Sequence, residues 1–370
     1  MNRKSNKQKM ETGLLVLETK NYCALASTTP CKHCSVESYL GAKPTNTCDV
    51  DWLDVIEQFS EFGNGHVVLK NGAGALGLNE VSLLEATLEK GLSASITTEG
   101  VCMADKFESE LYRLSGENPG KLGVTVSLDG ETPEIYGQLR QPIHFDRAVS
   151  FIKEAKAKGL SVATNYVVHV ENVGSIQEYV NFAVKELGVE KINLLELNST
   201  GNAKTNGLKE ADSQQYFDAL MKTYVQGDEQ IRLALDGTFA AEVYKAEKGV
   251  SEGCNGCPAG NKGMYFVQHD GEIFPCSSLE IPQYHVGNIK RMTLAEADNS
   301  MEFEYARKVA QSLTTENPLV SMCPGRLESF GDQGRMEQAT EMTKIITNYL
   351  KEKGIEITKR NSCNCYSPAF

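Results

Sequence analysis

No apolar run in these 370 residues approaches the length of about eighteen needed to span a bilayer, so no membrane helix is expected. The opening MNRKSNKQKMETG is basic and polar but lacks an apolar h-region, which makes residues 1–12 a frayed tail and not a signal peptide. Basic residues are also short: 37 Lys and Arg face 49 Asp and Glu, leaving a net charge of −12. Nucleic-acid partners need clustered cations, so that class is disfavoured, and a basic or neutral substrate fits better. Neither GK[ST] nor GxGxxG accompanies the glycines between Gly72 and Gly77, which removes a phosphate-cradling loop. Fixed-period repeats and low-complexity segments are missing too. The expected compartment is the cytoplasm.

What the chain does have is cysteine, eleven in all. Many thiols without an export signal point to metal or catalysis more than to a disulfide scaffold. They fall at 23, 31 and 34, at 254, 257 and 276, and at 323, 363 and 365, with Cys48 and Cys102 alone and none from 103 to 253. In NYCALASTTPCKHCSVES seven residues separate Cys23 from Cys31 and two separate Cys31 from Cys34, just past a strand-like run. Three thiolates leave one coordination position open, as a cluster that must also bind something requires. A structural zinc site normally has four ligands in CxxC pairs, which this stretch does not supply. Cys48 and Cys102 read as small buried hydrophobes.

From residue 13 to about 226, β-branched runs alternate with amphipathic helical stretches, the mark of βα units and a parallel sheet. The strands expected are Leu14–Leu17, Val67–Leu69, Ser93–Thr97, Leu122–Leu128, Leu160–Val168 and Lys191–Leu197. Trp52, Val55, Ile56 and Phe59 form one apolar stripe, and Ala148, Phe151, Ile152 and Ala155 another. Ser175 is the expected N-cap of a third helix that ends before Gly188. Six such units give an α/β fold, a partial (β/α)6 TIM-like barrel with ligands at the C-terminal strand ends. The texture changes after residue 228, where Asp270-Gly271 between two apolar runs signals a hairpin and a helix is expected at about 335–353. The division is therefore a tail at 1–12, a barrel at 13–228 and a smaller C-terminal domain at 229–370.

Strand, cysteine loop and partial barrel together resemble the radical S-adenosylmethionine (SAM) enzymes. The resemblance covers about residues 12–205, although the commonest family spacing is three then two. It implies a [4Fe–4S] cluster on Cys23, Cys31 and Cys34, with the methionine part of SAM on the fourth iron. Gly72, Ala73 and Gly74 match the loop whose backbone receives the methionine amino group, though the usual Glu is absent. Thr98, within ITTEG, sits at the next strand end. VSLDGETPEIYGQLR is similar to the segment after the family's fourth strand, which implies that Ser127 and Arg140 lie on the carboxylate side of SAM; Asp129 is expected to fix that strand-end turn. Asn165 and Ser199-Thr200-Gly201 fall at later SAM-facing strand ends, and His33 packs beside the adenine.

GCNGCPAGNKGMYFVQHDGEIFPCSSL, followed by HVGNI, is similar to the auxiliary-cluster region of SPASM and twitch domains. That similarity implies one auxiliary [4Fe–4S] cluster, or two, with Cys254, Cys257, Cys276 and Cys323 as ligands of the first. Cys363 or Cys365 could replace Cys323, and either could act as a thiol hydrogen donor to a substrate radical.

The expected function is hydrogen abstraction from a side chain of a ribosomally made peptide or protein, giving a crosslink, oxidation or epimerisation. Only about twelve residues precede the first strand, so a leader-binding domain is not expected. The alternative is a dehydrogenase or epimerase of a small metabolite, of the sugar or aminocyclitol kind. A more remote one is a non-catalytic iron–sulfur electron carrier. Molybdopterin-precursor synthesis is not expected, because the chain ends Pro368-Ala369-Phe370 where a Gly-Gly tail would be needed. Nor is sulfatase maturation, for want of cysteines for two auxiliary clusters. The expected partners are a peptide or small-molecule substrate and a low-potential electron donor of the flavodoxin or ferredoxin type.

Overall fold

The computed structural model describes residues 10–26, 28–34, 49–71, 76–197, 199–235, 240–248, 264–316, 341, 344–345 and 347–354. Gly72, Ala73, Gly74, Cys254, Cys257, Cys323, Cys363 and Cys365 lie outside the described residues.

All six expected strands are present: β1 (Met10–Leu17), β2 (Gly63–Lys70), β3 (Ser93–Thr98), β4 (Leu122–Ser127), β5 (Ser161–Val168) and β6 (Lys191–Glu196). They are joined by β7 (Met264–Val267), β8 (Glu272–Phe274) and β9 (Gly287–Asn288) in one sheet, ordered β6-β5-β4-β3-β2-β1-β7-β8-β9. β1 to β6 run parallel to their neighbours. Sheet order ends at β6 on one side and β9 on the other, so the described strands form an open barrel. β7 pairs in parallel with β1, Leu17 opposite Val267, so residues on either side of position 228 share one sheet. The hairpin forms where Asp270-Gly271 predicts it: Gly271 has φ 90°, and β8 turns back antiparallel to β7.

Between β1 and residue 206, the described residues form seven α-helices: α1 (Trp52–Ser60), α2 (Leu78–Glu89), α3 (Asp105–Glu117), α4 (Pro133–Tyr136), α5 (Phe145–Ala157), α6 (Ile176–Asn181) and α7 (Gly201–Thr205). Asp51 caps α1 by accepting from Asp54 N–H, and Val55, Ile56 and Phe59 of its stripe are buried. Ala148, Phe151, Ile152 and Ala155 of α5 are buried likewise. Ser175 stands at the N-cap of α6 but makes no side-chain capping bond. The helix widens into a π-turn over Phe182–Glu186 and stops before Gly188, which has φ 70°.

Strand side chains alternate between two faces. Leu15, Leu17, Val67, Leu69, Ile96 and Val124 point to the helical layer and share its core. Leu14, Val16, Val68, Met264 and Phe266 point the other way and form a second, smaller core at β1 and β7. By the same parity, β4 to β6 carry polar residues on that concave face, and this face holds the candidate site.

Candidate functional site

The loop carrying Cys23, Cys31 and Cys34 begins just past the C-terminal end of β1, at the rim of the concave face. Part of its long first gap forms a local turn: Ala26 N–H donates to Cys23 C=O, and Thr28 and Thr29 N–H donate to Leu25 C=O, with Leu25 buried. The Thr29 hydroxyl lies 3.1 Å from His144 Nε2, linking the gap to the start of α5.

Two other segments hold the rest of the loop. On one side, Lys32 N–H donates to Leu139 C=O at 2.8 Å and Lys32 Nζ to Gly137 C=O at 2.9 Å. On the other, α7 offers Asn202, whose backbone N–H donates to Cys34 C=O and whose side-chain amide donates to Cys31 C=O at 3.1 Å. One turn later Asn206 Nδ2 donates to Lys32 C=O at 3.0 Å. These asparagines carry no signature in the sequence, since Asn near a short helix is ordinarily a cap or a surface residue.

Behind the loop, Asp129 is fully buried at the end of β4. Its Oδ1 accepts from Val167 N–H at 2.7 Å, and its Oδ2 accepts from Arg140 Nε at 2.5 Å. Arg140 Nη1 then donates to Cys31 Sγ at 3.4 Å. Asp129 thus fixes the loop as expected, and Arg140 faces a cysteine thiol. Gly130 lets α4 pass, because a Cβ there would lie 2.2 Å from Tyr136 N.

Burial pushes the Cys31 thiol up to about 11, against the opposing pull of Arg140, with Cys34, Asp129 and Cys23 adding to the rise. Any metal bound there would have to displace a proton. Burial lowers His33 to about 4, with Asp129 pulling the other way, so the imidazole between the last two cysteines is neutral at pH 7. For Arg140, burial disfavours the charge, but Asp129 and Cys31 outweigh it and hold the guanidinium above its ordinary value.

Ser127, Asn165 and Asn193 are register partners across β4, β5 and β6, and Asn193 Nδ2 donates to Asn165 Oδ1 at 3.0 Å. They form one polar row on the concave face. Thr98 has the opposite parity: it shares a face with Ile96, and its hydroxyl accepts from Gly100 N–H at 3.1 Å. The strand-end threonine on the concave side is Thr97. Glu80, passed over in the sequence, is buried at the start of α2 and accepts from Thr19, Lys20 and Gly77 N–H, while Asn71 Nδ2 donates to Thr19. It ties the end of β1 to the segment on each side of residues 72–75.

Among the described residues no three His, Cys, Asp or Glu side chains converge as a single metal ion requires. Three buried atoms beside the loop also have no hydrogen-bond partner among the described residues: His33 Nδ1, Gln138 Oε1 and Thr200 Oγ1. Buried polar atoms are ordinarily satisfied, so these fit a site completed by a bound group. At the far edge of the sheet Cys276 accepts Ser278 N–H at its sulfur, 3.4 Å away, and packs against the smaller core.

Residues 252–325 match the SPASM family, an iron–sulfur cluster-binding domain. That span contains Cys254, Cys257, Cys276 and Cys323 and stops before Cys363. The chain is 24% identical over 284 residues to a PqqA peptide cyclase of Ruegeria pomeroyi, covering 76% of this chain and 72% of that one. It is 21% identical over 306 residues to an AdoMet-dependent heme synthase of Oleidesulfovibrio alaskensis, covering 78% and 75%. Its fold is that of native anSMEcpe with bound AdoMet and Cp18Cys peptide: TM-score 0.66, 18% identity, 93% of this chain and 99% of that one.

Proposed function

We propose that this chain, a radical SAM enzyme with a C-terminal SPASM domain, removes a hydrogen atom from a side chain of a ribosomally made peptide or protein, leaving it crosslinked, oxidised or epimerised. Cys23, Cys31 and Cys34 would hold a [4Fe–4S] cluster, which when bound and reduced would supply the electron for reductive cleavage of SAM.

The chain's own residues hold, orient and shield. Arg140, braced by Asp129, meets the Cys31 sulfur, and Asn202 and Asn206 hold the loop backbone. Ser127, Asn165 and Asn193 present hydrogen-bonding groups to whatever enters the concave face, with Asn165 and Asn193 already preorganised by their mutual bond. Neutral, buried His33 offers a flat ring that excludes water without adding charge near the sulfonium of SAM. Gly72, Ala73 and Gly74 take the methionine amino group, and Cys254, Cys257, Cys276 and Cys323 hold the auxiliary cluster.

The observation that carries a peptide substrate is the match to a PqqA peptide cyclase over three quarters of the chain. Exposed, apolar Ile143 stands beside His144, which reaches Thr29 of the cysteine loop. No helix among the described residues is long and apolar enough to cross a membrane; a cytoplasmic setting and a flavodoxin- or ferredoxin-type electron donor belong to the proposal.

Co-expression with short peptides encoded beside its gene, followed by mass spectrometry, tests the reading. A peptide that loses hydrogen, or in heavy water gains one deuterium by epimerisation, only when Cys31 is intact is the expected result. The heme synthase match favours a second reading, a small-molecule substrate. Peptides unchanged while a small metabolite is altered would select that reading over the first.

A further inference from the structure

The site carries an arrangement that SAM binding alone does not explain. Arg140 has two directed contacts, and neither faces open space. Nε is committed to Asp129 Oδ2, and Nη1 points to Cys31 Sγ at 3.4 Å. Asp129 is itself pinned by Val167 N–H, and its side chain is fully buried, so the guanidinium has little freedom to turn elsewhere. Only 11% of the Arg140 side chain is exposed. Lys32, next to Cys31, is bonded to carbonyls of the same 137–139 turn that precedes Arg140, which fixes the thiol relative to the guanidinium. A charged donor held this firmly on a ligand sulfur does more than fill space.

We propose that Arg140 is a tuning residue for the N-terminal cluster: it donates a charge-assisted hydrogen bond to the Cys31 sulfur and raises the reduction potential of that cluster, with Asp129 as its brace. The inference rests on the reading of Cys23, Cys31 and Cys34 as cluster ligands. Its physical basis is direct. Reduction adds one negative charge to the iron–sulfur unit, and part of it resides on the cysteine sulfurs. A donor cation beside one sulfur stabilises the reduced form more than the oxidised form, and outer-shell donors are a principal lever on such potentials. The opposing group is Asp129, whose oxygens are turned to Arg140 and Val167 N–H, so the pair meets the sulfur with its positive, donating end. Lysine would keep the charge but not the fork that meets carboxylate and sulfur together.

The test uses the full chain, anaerobically reconstituted, with the reduction potential followed by EPR in a titration with a low-potential reductant. The relevant signal is the one that SAM perturbs and that Cys31→Ala lacks. Arg140→Gln is expected to weaken the one-electron reduction equilibrium by roughly tenfold, a fall of about 59 mV. Arg140→Lys is expected to fall less, and it reads the same quantity if the Gln variant does not retain iron. SAM affinity, measured by calorimetry on the oxidised protein, stays close to the starting value in both. An unchanged or higher potential overturns the proposal. An unchanged potential with weakened SAM binding makes Arg140 a carboxylate contact instead. Reconstituted starting protein without a SAM-responsive signal would mean that the cluster assignment itself is wrong, a separate failure.

Discussion

The side-chain amide of Asn202 donates to the carbonyl of Cys31 at 3.1 Å, joining residues 171 apart in sequence. The bond closes α7, at the far edge of the barrel, onto the cysteine loop that follows β1. A net hydrogen bond contributes about 1 kcal/mol. Asn202→Ala combined with Asn206→Ala should therefore leave the fold intact and speed the loss of iron to a chelator several-fold. Iron loss at the starting rate would mean that α7 does not hold the loop.

Gly130 is the glycine of the SLDG segment, and a Cβ there would meet the backbone of Tyr136 and Ile135 at 2.2 and 2.7 Å. Backbone cannot yield as a flexible side chain can. Gly130→Ala should cost roughly 1–3 kcal/mol of stability in chemical denaturation. Gly174→Ala, where a Cβ meets nothing within 4 Å, is the matched control and should cost less.

Much of this was legible in the sequence, for definable reasons. Strands buried on both faces need continuous β-branched and apolar runs, so Val67–Leu69 and Leu160–Val168 announced themselves. The stripes on α1 and α5 have one buried face, and Asp270-Gly271 has a turn chemistry few other pairs share. Asp129 was readable as a loop brace because it ends a strand inside a Gly-containing turn. Asn202, Asn206 and Glu80 were not, because their partners lie on other elements and no local pattern marks a residue that bonds a distant carbonyl. Thr98 stood beside Thr97, and only the pleat decides which of two neighbouring threonines faces the concave side. The pairing of β7 with β1 was equally invisible, since strand order is not written in strand composition.

His66 lies within the sheet, its two ring nitrogens each 2.8 Å from a hydroxyl, Ser93 Oγ and Ser95 Oγ. Burial lowers it to about 3. A histidine held neutral in the fold but free to protonate near 6.5 when unfolded removes stability as pH falls from 6.5 toward 3, and its contribution is flat above 6.5. The His66 ring resonances should not move between pH 8 and 5, and His66→Gln should flatten the acid limb of the stability profile. A His66 titration near 6.5 would contradict the assignment.

The SPASM match spans Cys254, Cys257, Cys276 and Cys323 but not Cys363 or Cys365. Cys276→Ala and Cys323→Ala should each lower reconstituted iron by about four per chain, one cluster's worth. Cys363→Ala and Cys365→Ala should retain iron. Iron lost from a Cys365 variant, with Cys323→Ala unaffected, would exchange their roles.

The central claim is that Cys23, Cys31 and Cys34 hold a cluster that cleaves SAM. The most direct measurement is 5′-deoxyadenosine formed by the anaerobically reconstituted chain with SAM and a strong reductant. The account predicts 5′-deoxyadenosine in step with methionine, abolished by Cys31→Ala while the auxiliary iron remains. Fully loaded protein, with about eight irons or more per chain at four per cluster, that forms no 5′-deoxyadenosine would contradict it.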